Sequence, residues 1–510
     1  MLSTWPSLCG KWATDSETAS IHDSIGKDMT TIRYMLSVAA FFAAGMGFAA
    51  AGSAMSTEEL GLATARDSQA FPLLTELTET IGPRMSATEK GAAAERFVFE
   101  RLRAFGLKDV RYESFNMLSW TRGSIALSVE GRPIAAAAMV YTPAEADFTG
   151  EIADIGNGTS SDYAADYDKV RGRIALIYMG TLPGSPADTV YLPRWERLAL
   201  AIGHGARAVL FINPAAGNHL VTGITGGSAR MVDIPAAVVS REDGLDLRQQ
   251  LKAGRTLRAS LSMRNTVKPG VARNVIATIT GSEKPEQTVV LGGHLDSLDL
   301  GAGAVDNGSG AMWILDVARA FARHHIRPQR TVQFIFFMGE EEGLLGSYAH
   351  VRKALKDSTL AQVRYMINTD MSVNPHGLYL WGGDLDARFF LTFAAAVRKI
   401  YPSFTEISTD MADMSQSSDS QPFIEQGVPI VYPTAQWPDG LMACIHAECD
   451  RIGFLDDSQM RRSAVVGAML LKALADAPDD VAHVMSAAET LDYFKAAKIT
   501  RSYLGPAETH

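Results

Sequence analysis

The sequence predicts an α/β protein, a doubly wound and mostly parallel sheet with a second, β-rich module inserted ahead of the main run of strands. Three observations carry this. From residue 288 onward apolar runs alternate with helical stretches: 288–291, 331–337 and 363–367 read as strands, 308–323 and 344–355 as helices. Such alternation builds a parallel sheet with crossover helices. Between residues 134 and 264 the texture differs, with brief apolar runs at 174–177, 208–212 and 236–239 separated by Gly, Pro, Asn and Asp. That is the punctuation of a compact module with its own sheet. The chain's 510 residues also exceed what one domain ordinarily uses.

Composition narrows the class. With 47% hydrophobic and 20% charged residues, the chain is neither disordered nor fibrous. A net charge of −10 argues against a general nucleic-acid binder. Three cysteines cannot build a disulfide-dense scaffold or a thiolate metal cluster.

In chain order, residues 1–54 read as a leader. Residues 1–28 are polar, and Met29 opens a second start: Arg33 in a short n-region, an apolar run over 35–51, then Gly52-Ser53-Ala54 before a polar stretch. This is the grammar of a secretory signal. It predicts translation from Met29, cleavage near Ala54 and export, with an uncleaved anchor as the alternative. No stable membrane span is expected after cleavage. Cys9 leaves with the leader, and Cys444 and Cys449 are close enough in sequence for a small-loop disulfide in an oxidising compartment.

Residues 55–130 open the main domain. Residues 60–107 read as helical: Ala93, Phe97, Leu102 and Phe105 recur near helical spacing and Gly106 supplies a stop. Residues 110–115 alternate as a strand does. The inserted module is assigned to 131–270, the main domain resumes over 271–478, and 479–510 form a terminal helix (485–499) and tail.

In doubly wound sheets chemistry gathers past the carboxyl ends of strands. His294 and Asp296 follow one predicted strand, Glu340 and Glu341 end the next, Asp370 ends a third, and Asp306 precedes a helix. Each has a plain structural use. Asp306 suits a turn or N-cap, Asp370 a strand end, and Glu340–Glu342 a solvated run opening a helix, which is the reading kept for Glu342. Imidazole and carboxylates collected at one sheet edge instead suit Zn²⁺, Mn²⁺ or Co²⁺, and a bridging carboxylate suits two such ions.

Of the other histidines, His324 and His325 are expected to complement a helix C-terminus. His204, His219, His350 and His376 lack acidic partners at useful spacing. Ser309 is no nucleophile elbow because residue 307 is Asn. Gly301–Ala304 reads as connecting chain, and Tyr432 and Trp437 either line a cleft or pack on the surface.

The motifs GGHLDS, AVDNGSG, GEEEGLLGS and NTDM, in this order, resemble the dizinc exopeptidases of metallopeptidase family 28 in clan MH. Ile81-Gly-Pro-Arg84 resembles that family's N-terminal segment, and the middle module resembles its protease-associated (PA) insert. The resemblance implies a zinc exopeptidase fold and two Zn²⁺ ions held by His294, Asp306, Glu341, Asp370 and His446. Asp306 would bridge, His294 and Asp370 would hold different ions, and Glu341 would pair with His294. Glu340 would be the general base, Asp296 would support His294, and Asp450 matches a family Asp. His446 stands in His-Ala-Glu-Cys-Asp, with Ala447 at a usual Thr, and Ser420 replaces a usual His. The implied reaction is hydrolysis of a terminal peptide bond in a peptide or protein terminus. An aminopeptidase comes first and a carboxypeptidase or dipeptidase second, since 298–303 and 327–331 resemble the carboxypeptidase-like branch. Glutaminyl cyclisation, which needs one zinc, and non-enzymatic binding, which predicts eroded ligands, fit less well.

Overall fold

The structure, a computed structural model, describes residues 55–164, 167–409 and 418–497. The expected leader and the last residues of the expected terminal helix and tail lie outside the described residues.

The stretch expected to be helical resolves into three helices, α1 (Thr57–Asp67), α2 (Ala70–Thr80) and α3 (Glu89–Ala104). Ser56 and Glu59 form a capping box on α1, and the Thr88 side chain accepts from Gly91 N at the start of α3. These contacts satisfy amides that the first helical turn leaves without partners. The next strand, β1 (Asp109–Val129), is 21 residues long, far beyond the predicted 110–115.

The inserted module contains β2 (Arg132–Ile134), β3 (Ala136–Ala138), β4 (Glu145–Asp154), α4 (Ser160–Ala164), β5 (Ile174–Tyr178), α5 (Arg194–Gly203), β6 (Ala208–Ile212), β7 (Ala236–Val239) and α6 (Arg241–Lys252). Strands β4, β5, β6 and β7 run parallel side by side, and β3 closes the edge antiparallel to β7.

The main sheet then uses β8 (Arg258–Ile279), β9 (Lys284–His294), β10 (Arg330–Phe337), β11 (Val363–Asn368), β12 (Gly377–Trp381), β13 (Glu406–Ser408) and β14 (Ile430–Pro433). Its helices are α7 (Gly310–Arg323), α8 (Leu345–Lys356), α9 (Ala387–Arg398), α10 (Gln421–Ile424), α11 (Asp457–Ala475) and α12 (Ala487–Ala496). Strands β14, β11, β9 and β10 form a parallel centre, flanked by antiparallel neighbours β12 and β8. The sheet is therefore mixed, with the predicted parallel order confined to its middle.

The length of β1 follows from its partner. It pairs antiparallel with β8 from Asp109↔Thr278 to Val129↔Ala259. Val275–Ile279 of β8 pair with β10, while Arg258–Arg264 pair with β4. One two-stranded ribbon thus enters both sheets, and β8 is continuous through residue 270.

Double winding is written in the strands with period two. Val289 and Leu291, Phe334 and Phe336, and Tyr365 and Ile367 face the core shared with α7 and α11. Val290, Ile335, Phe337 and Met366 face the opposite core with Val351 of α8 and Phe494 of α12. Helix α7 is buried almost all round, from Trp313 and Leu315 to Phe321, as its near-continuous apolar sequence requires. With its faces committed to packing, the sheet presents polar chemistry at the carboxyl ends of β9, β10 and β11.

Candidate metal centre

The predicted site residues stand at the end of a central strand or on the loops that follow such strands. His294 is the last residue of β9, Glu340 and Glu341 follow β10, and Asp370 follows β11. Asp306 lies in the turn before α7, and His446 arrives from the loop between β14 and α11. Two glycines allow the loops to meet: a Cβ at Gly293 would strike the Thr369 side chain, and one at Gly310 the Thr369 carbonyl. Asn307 joins the same loops. Its amide donates to the His294 carbonyl at 3.3 Å, and its oxygen accepts from Gly310 N and Met371 N, both at 3.0 Å.

The structure brings all the predicted ligands together. His294 Nε2 is 3.3 Å from Asp306 Oδ1 and 3.4 Å from Asp370 Oδ1. His446 Nε2 is 3.1 Å from Asp306 Oδ2 and 3.1 Å from Glu341 Oε2. Asp306 therefore offers one oxygen to each imidazole. In these contacts His294 sits beside Asp370 and His446 beside Glu341, whereas the motifs imply Glu341 with His294. The physical reason is local: successive side chains at a strand-to-helix turn diverge. Glu340 turns toward His294, with Oε2 4.0 Å from its Nε2, and Glu341 turns toward His446.

Support comes from residues around this set. The carboxylate of Asp296 accepts from the backbone amides of Glu340 at 3.5 Å and Glu341 at 3.3 Å. His294 is oriented by the Asp296 carbonyl, 3.2 Å from Nδ1, more closely than by the carboxylate at 3.7 Å. Asp450 accepts from Val305 N at 2.8 Å and Asp306 N at 3.1 Å, fixing the loop that carries Asp306. The Tyr432 hydroxyl donates to the Asp370 carbonyl, and Trp437 Nε1 donates to the Met371 carbonyl at 3.1 Å. Both aromatic residues brace the Asp370 loop.

Charge is the dominant feature. Asp296, Asp306, Glu341, Glu342, Asp419 and Asp450 are all buried, and Glu340 and Asp370 add two more carboxylates with little exposure. Burial drives Glu340 well above the ordinary carboxylate range, with Asp370, Glu341 and Asp419 adding to the effect. Burial likewise pushes Asp419 up to about 7 and Asp450 up to about 6. Burial opposes the charge on His446, but Glu341 and Asp306 outweigh it and raise the imidazole to about 10. A cluster this acidic takes up protons or cations.

The residues fit divalent cations. Donor atoms of His294, Asp306 and Glu341 lie within 4.8 Å of one another, as do those of His294, Glu340 and Asp370. Glu341 Oε1 is buried without a hydrogen-bond partner. When Nδ1–H of His294 donates to the Asp296 carbonyl, Nε2 presents its lone pair to two carboxylates. That arrangement is repulsive until a cation or proton sits between them.

Sequence reasoning missed several members. Arg84 is fully buried, and its guanidinium donates to the carbonyls of Ala302 and Gly303, both at 2.8 Å, and of Leu295. Burial lowers it to about 10, opposed by Asp450, Asp296, Asp306 and Glu341. It is the fixed cation beneath the acidic cluster, and a lone arginine carries no sequence signal for that role beyond its motif. Glu342 is also a correction. It is 0% exposed rather than solvated, and it accepts from Ser86 N at 3.2 Å. His350 and His376 gain acids the sequence did not suggest, with His350 2.9 Å from Glu113 and His376 3.1 Å from Glu406. Their partners are brought in by the fold. Cys444 and Cys449 are disulfide-bonded with Cα atoms 5.1 Å apart, and they bracket His446.

Fold and site together define an α/β protein of the zinc exopeptidase fold with a PA-type insert. Residues 274–471 match the model of peptidase family M28 and residues 135–247 match the model of the PA domain. A probable leucine aminopeptidase 2 from Aspergillus fumigatus is 33% identical over 344 residues, which span 65% of this chain and 64% of that relative. Carboxypeptidase Q from Mus musculus is 25% identical over 78% of this chain and 84% of its own length. A solved zinc aminopeptidase from Bacillus subtilis shares the fold with a TM-score of 0.61 and 24% identity, covering 82% of this chain and 98% of that one.

Proposed function

We propose that this chain is a metal-dependent exopeptidase, an aminopeptidase first, working through two zinc ions. The single observation that carries the reading is Asp306, whose two oxygens face two different imidazoles, each with its own further carboxylate. In this reading His294 and Asp370 hold one ion, His446 and Glu341 the other, and Asp306 bridges. The similarity to leucine aminopeptidase 2 and to a zinc aminopeptidase supports both the metal and the amino-terminal preference.

When bound, the two ions supply a water of lowered pKa and a polarised scissile carbonyl. The rest is the work of the chain. Glu340 is the acid at the centre that is not needed as a ligand. Its side chain is 11% exposed, open enough to meet a substrate. It takes the water's proton and returns it to the leaving amine, which requires a carboxylate within hydrogen-bond reach of both. Asp296 sets its position by accepting from the Glu340 and Glu341 amides. Asp450 holds the bridging loop in the same way.

Carboxypeptidase or dipeptidase action is the second reading, favoured by the extent of the match to carboxypeptidase Q, which reaches 84% of that protein. The same proposal takes residues 1–54 as a cleaved export leader, 131–270 as the PA insert and 479–510 as outside the chemistry. The disulfide fits export to an oxidising compartment. Among the described residues, no helix is long and apolar enough to cross a membrane.

The test incubates the full chain with one peptide in free, N-acetylated and C-amidated forms, with and without a chelator, and follows trimming by mass spectrometry. Chelator-sensitive ladders from the free N-terminus, blocked by acetylation, are expected. Ladders from the C-terminus, blocked by amidation, transfer the reading to a carboxypeptidase. No trimming by zinc-loaded, folded protein refutes exopeptidase function.

A further inference from the structure

The PA insert packs against the loop of the metal centre that carries His446. The segment His219–Ile224, in the connection between β6 and β7, lies against the loop that carries His446. Thr222 N donates to the His446 carbonyl at 3.0 Å, Val221 and Ala447 form an antiparallel bridge, and Leu220 N donates to Glu448 Oε2 at 3.3 Å. His446 has φ 60°, in the left-handed region that a non-glycine residue occupies only when its surroundings impose it. The disulfide closes this loop, and the PA segment pairs with it through Val221 and Ala447.

Arg122 locks that grip to the other half of the centre. It projects from β1 at the register shift between Thr121 and Ser124. Its guanidinium meets Asp299 in a two-pronged ion pair, Nε to Oδ2 at 2.8 Å and Nη2 to Oδ1 at 2.7 Å. Nη2 also donates to Thr222 Oγ1 at 2.9 Å, and Nη1 donates to the Ala138 carbonyl on β3. Thr222 Oγ1 donates to that same carbonyl at 3.2 Å. Asp299 stands five residues after His294, on the loop leaving β9. The Arg122 and Asp299 side chains are only 15% and 20% exposed, so solvent screens the pair little. One planar fork therefore connects the His294 loop, the PA sheet and the PA segment that holds His446. Lysine, a point charge, cannot make those contacts at once.

We propose that Arg122 is a positioning residue for the metal centre, and that through Thr222 the PA insert sets the His446 side of it. This rests on the two-zinc reading above. The insert is then a structural part of the site, and loosening it weakens the metal at His446 and Glu341 while sparing the one at His294 and Asp370.

The test uses full-length wild type, Arg122→Ala, Arg122→Lys and Thr222→Val, the last a milder change that keeps shape and removes one hydroxyl, the acceptor for Arg122 and a donor to the Ala138 carbonyl. Zinc affinity is measured by competition with a chromophoric chelator, and hydrogen exchange is followed in peptides covering 441–451 and 288–297. The expected result is that one of the two zinc steps weakens by about tenfold to a hundredfold, the usual effect of removing a residue that orients ligands. Exchange rises in 441–451 and not in 288–297, and Arg122→Lys does not restore it. Two unchanged zinc steps with unchanged exchange in 441–451 overturn the proposal, as does equal weakening of both steps. If Arg122→Ala does not fold, Thr222→Val decides by the same readouts. Wild type binding fewer than two zinc ions refutes the two-zinc reading instead, and exchange in 441–451 still decides whether Arg122 holds the loop.

Discussion

The chain contains two parallel sheet centres built by the same rule, and only one of them ends in chemistry. Strands β5, β6 and β7 of the insert are as apolar and as buried as β9, β10 and β11 of the main sheet. Past the insert's strands come Met179, Asn213 and Ser240, whereas the main sheet presents His294, Glu340 with Glu341, and Asp370. The insert's polar groups are used up locally. Asn213 donates to the His219 carbonyl at 2.8 Å and accepts from Ala215 N at 3.1 Å, and Ser240 caps α6 by accepting from Asp243 N at 3.1 Å. The main sheet's groups face one another with more acceptors than donors and leave Glu341 Oε1 unpaired. Sheet geometry offers a place for a site, and an imbalance of charge and hydrogen bonding at that place marks one.

The contrast is broken most severely at Asp306. Asp306→Asn removes the charge shared by both imidazoles, and trimming is expected to fall by about 10³-fold or more, with zinc lost as well. Metal content and initial rates measured on the same sample check this. Glu340→Gln separates base from ligand. Its kcat is expected to fall by about 10²- to 10⁴-fold while zinc content stays at the wild-type value, and a loss of zinc would reassign Glu340 as a ligand. In the insert, Ser240→Ala should cost about 1 kcal/mol of stability through the lost cap and leave trimming unchanged. Denaturant melts and rates are the measurements.

The smallest effect distinguishes a satisfied buried pair from the metal cluster. The bond to His350 holds the Glu113 pKa below the ordinary glutamate value, against the opposing effect of burial. Its stabilising contribution is therefore fully present above the unfolded-state pKa of about 4.3 and is lost as pH falls through the lower folded value. Glu113→Gln should flatten the acid limb of a stability–pH curve. An unchanged limb would show that the pair contributes nothing.

How much of this was legible depended on how local each signal was. Strand-end residues were readable because strand, loop and side chain are adjacent in sequence. His294, Glu340, Glu341 and Asp370 each stand within three residues of the end of an apolar run. The ribbon of β1 and β8 was not, because a 21-residue strand exists only through a partner about 150 residues away. Glu342 was misread because an acid after a strand looks the same whether it faces water or the Ser86 amide. Which imidazole meets which glutamate is likewise a matter of side-chain direction at one turn, which residue spacing does not encode.

The most direct test of the central claim is a zinc titration of metal-stripped, full-length protein, read as bound zinc per chain and as the rate of peptide trimming at each step. The account predicts two equivalents bound, trimming that follows their binding, and loss of both in Asp306→Asn. Binding of one equivalent or none, or two equivalents that survive Asp306→Asn, would contradict it.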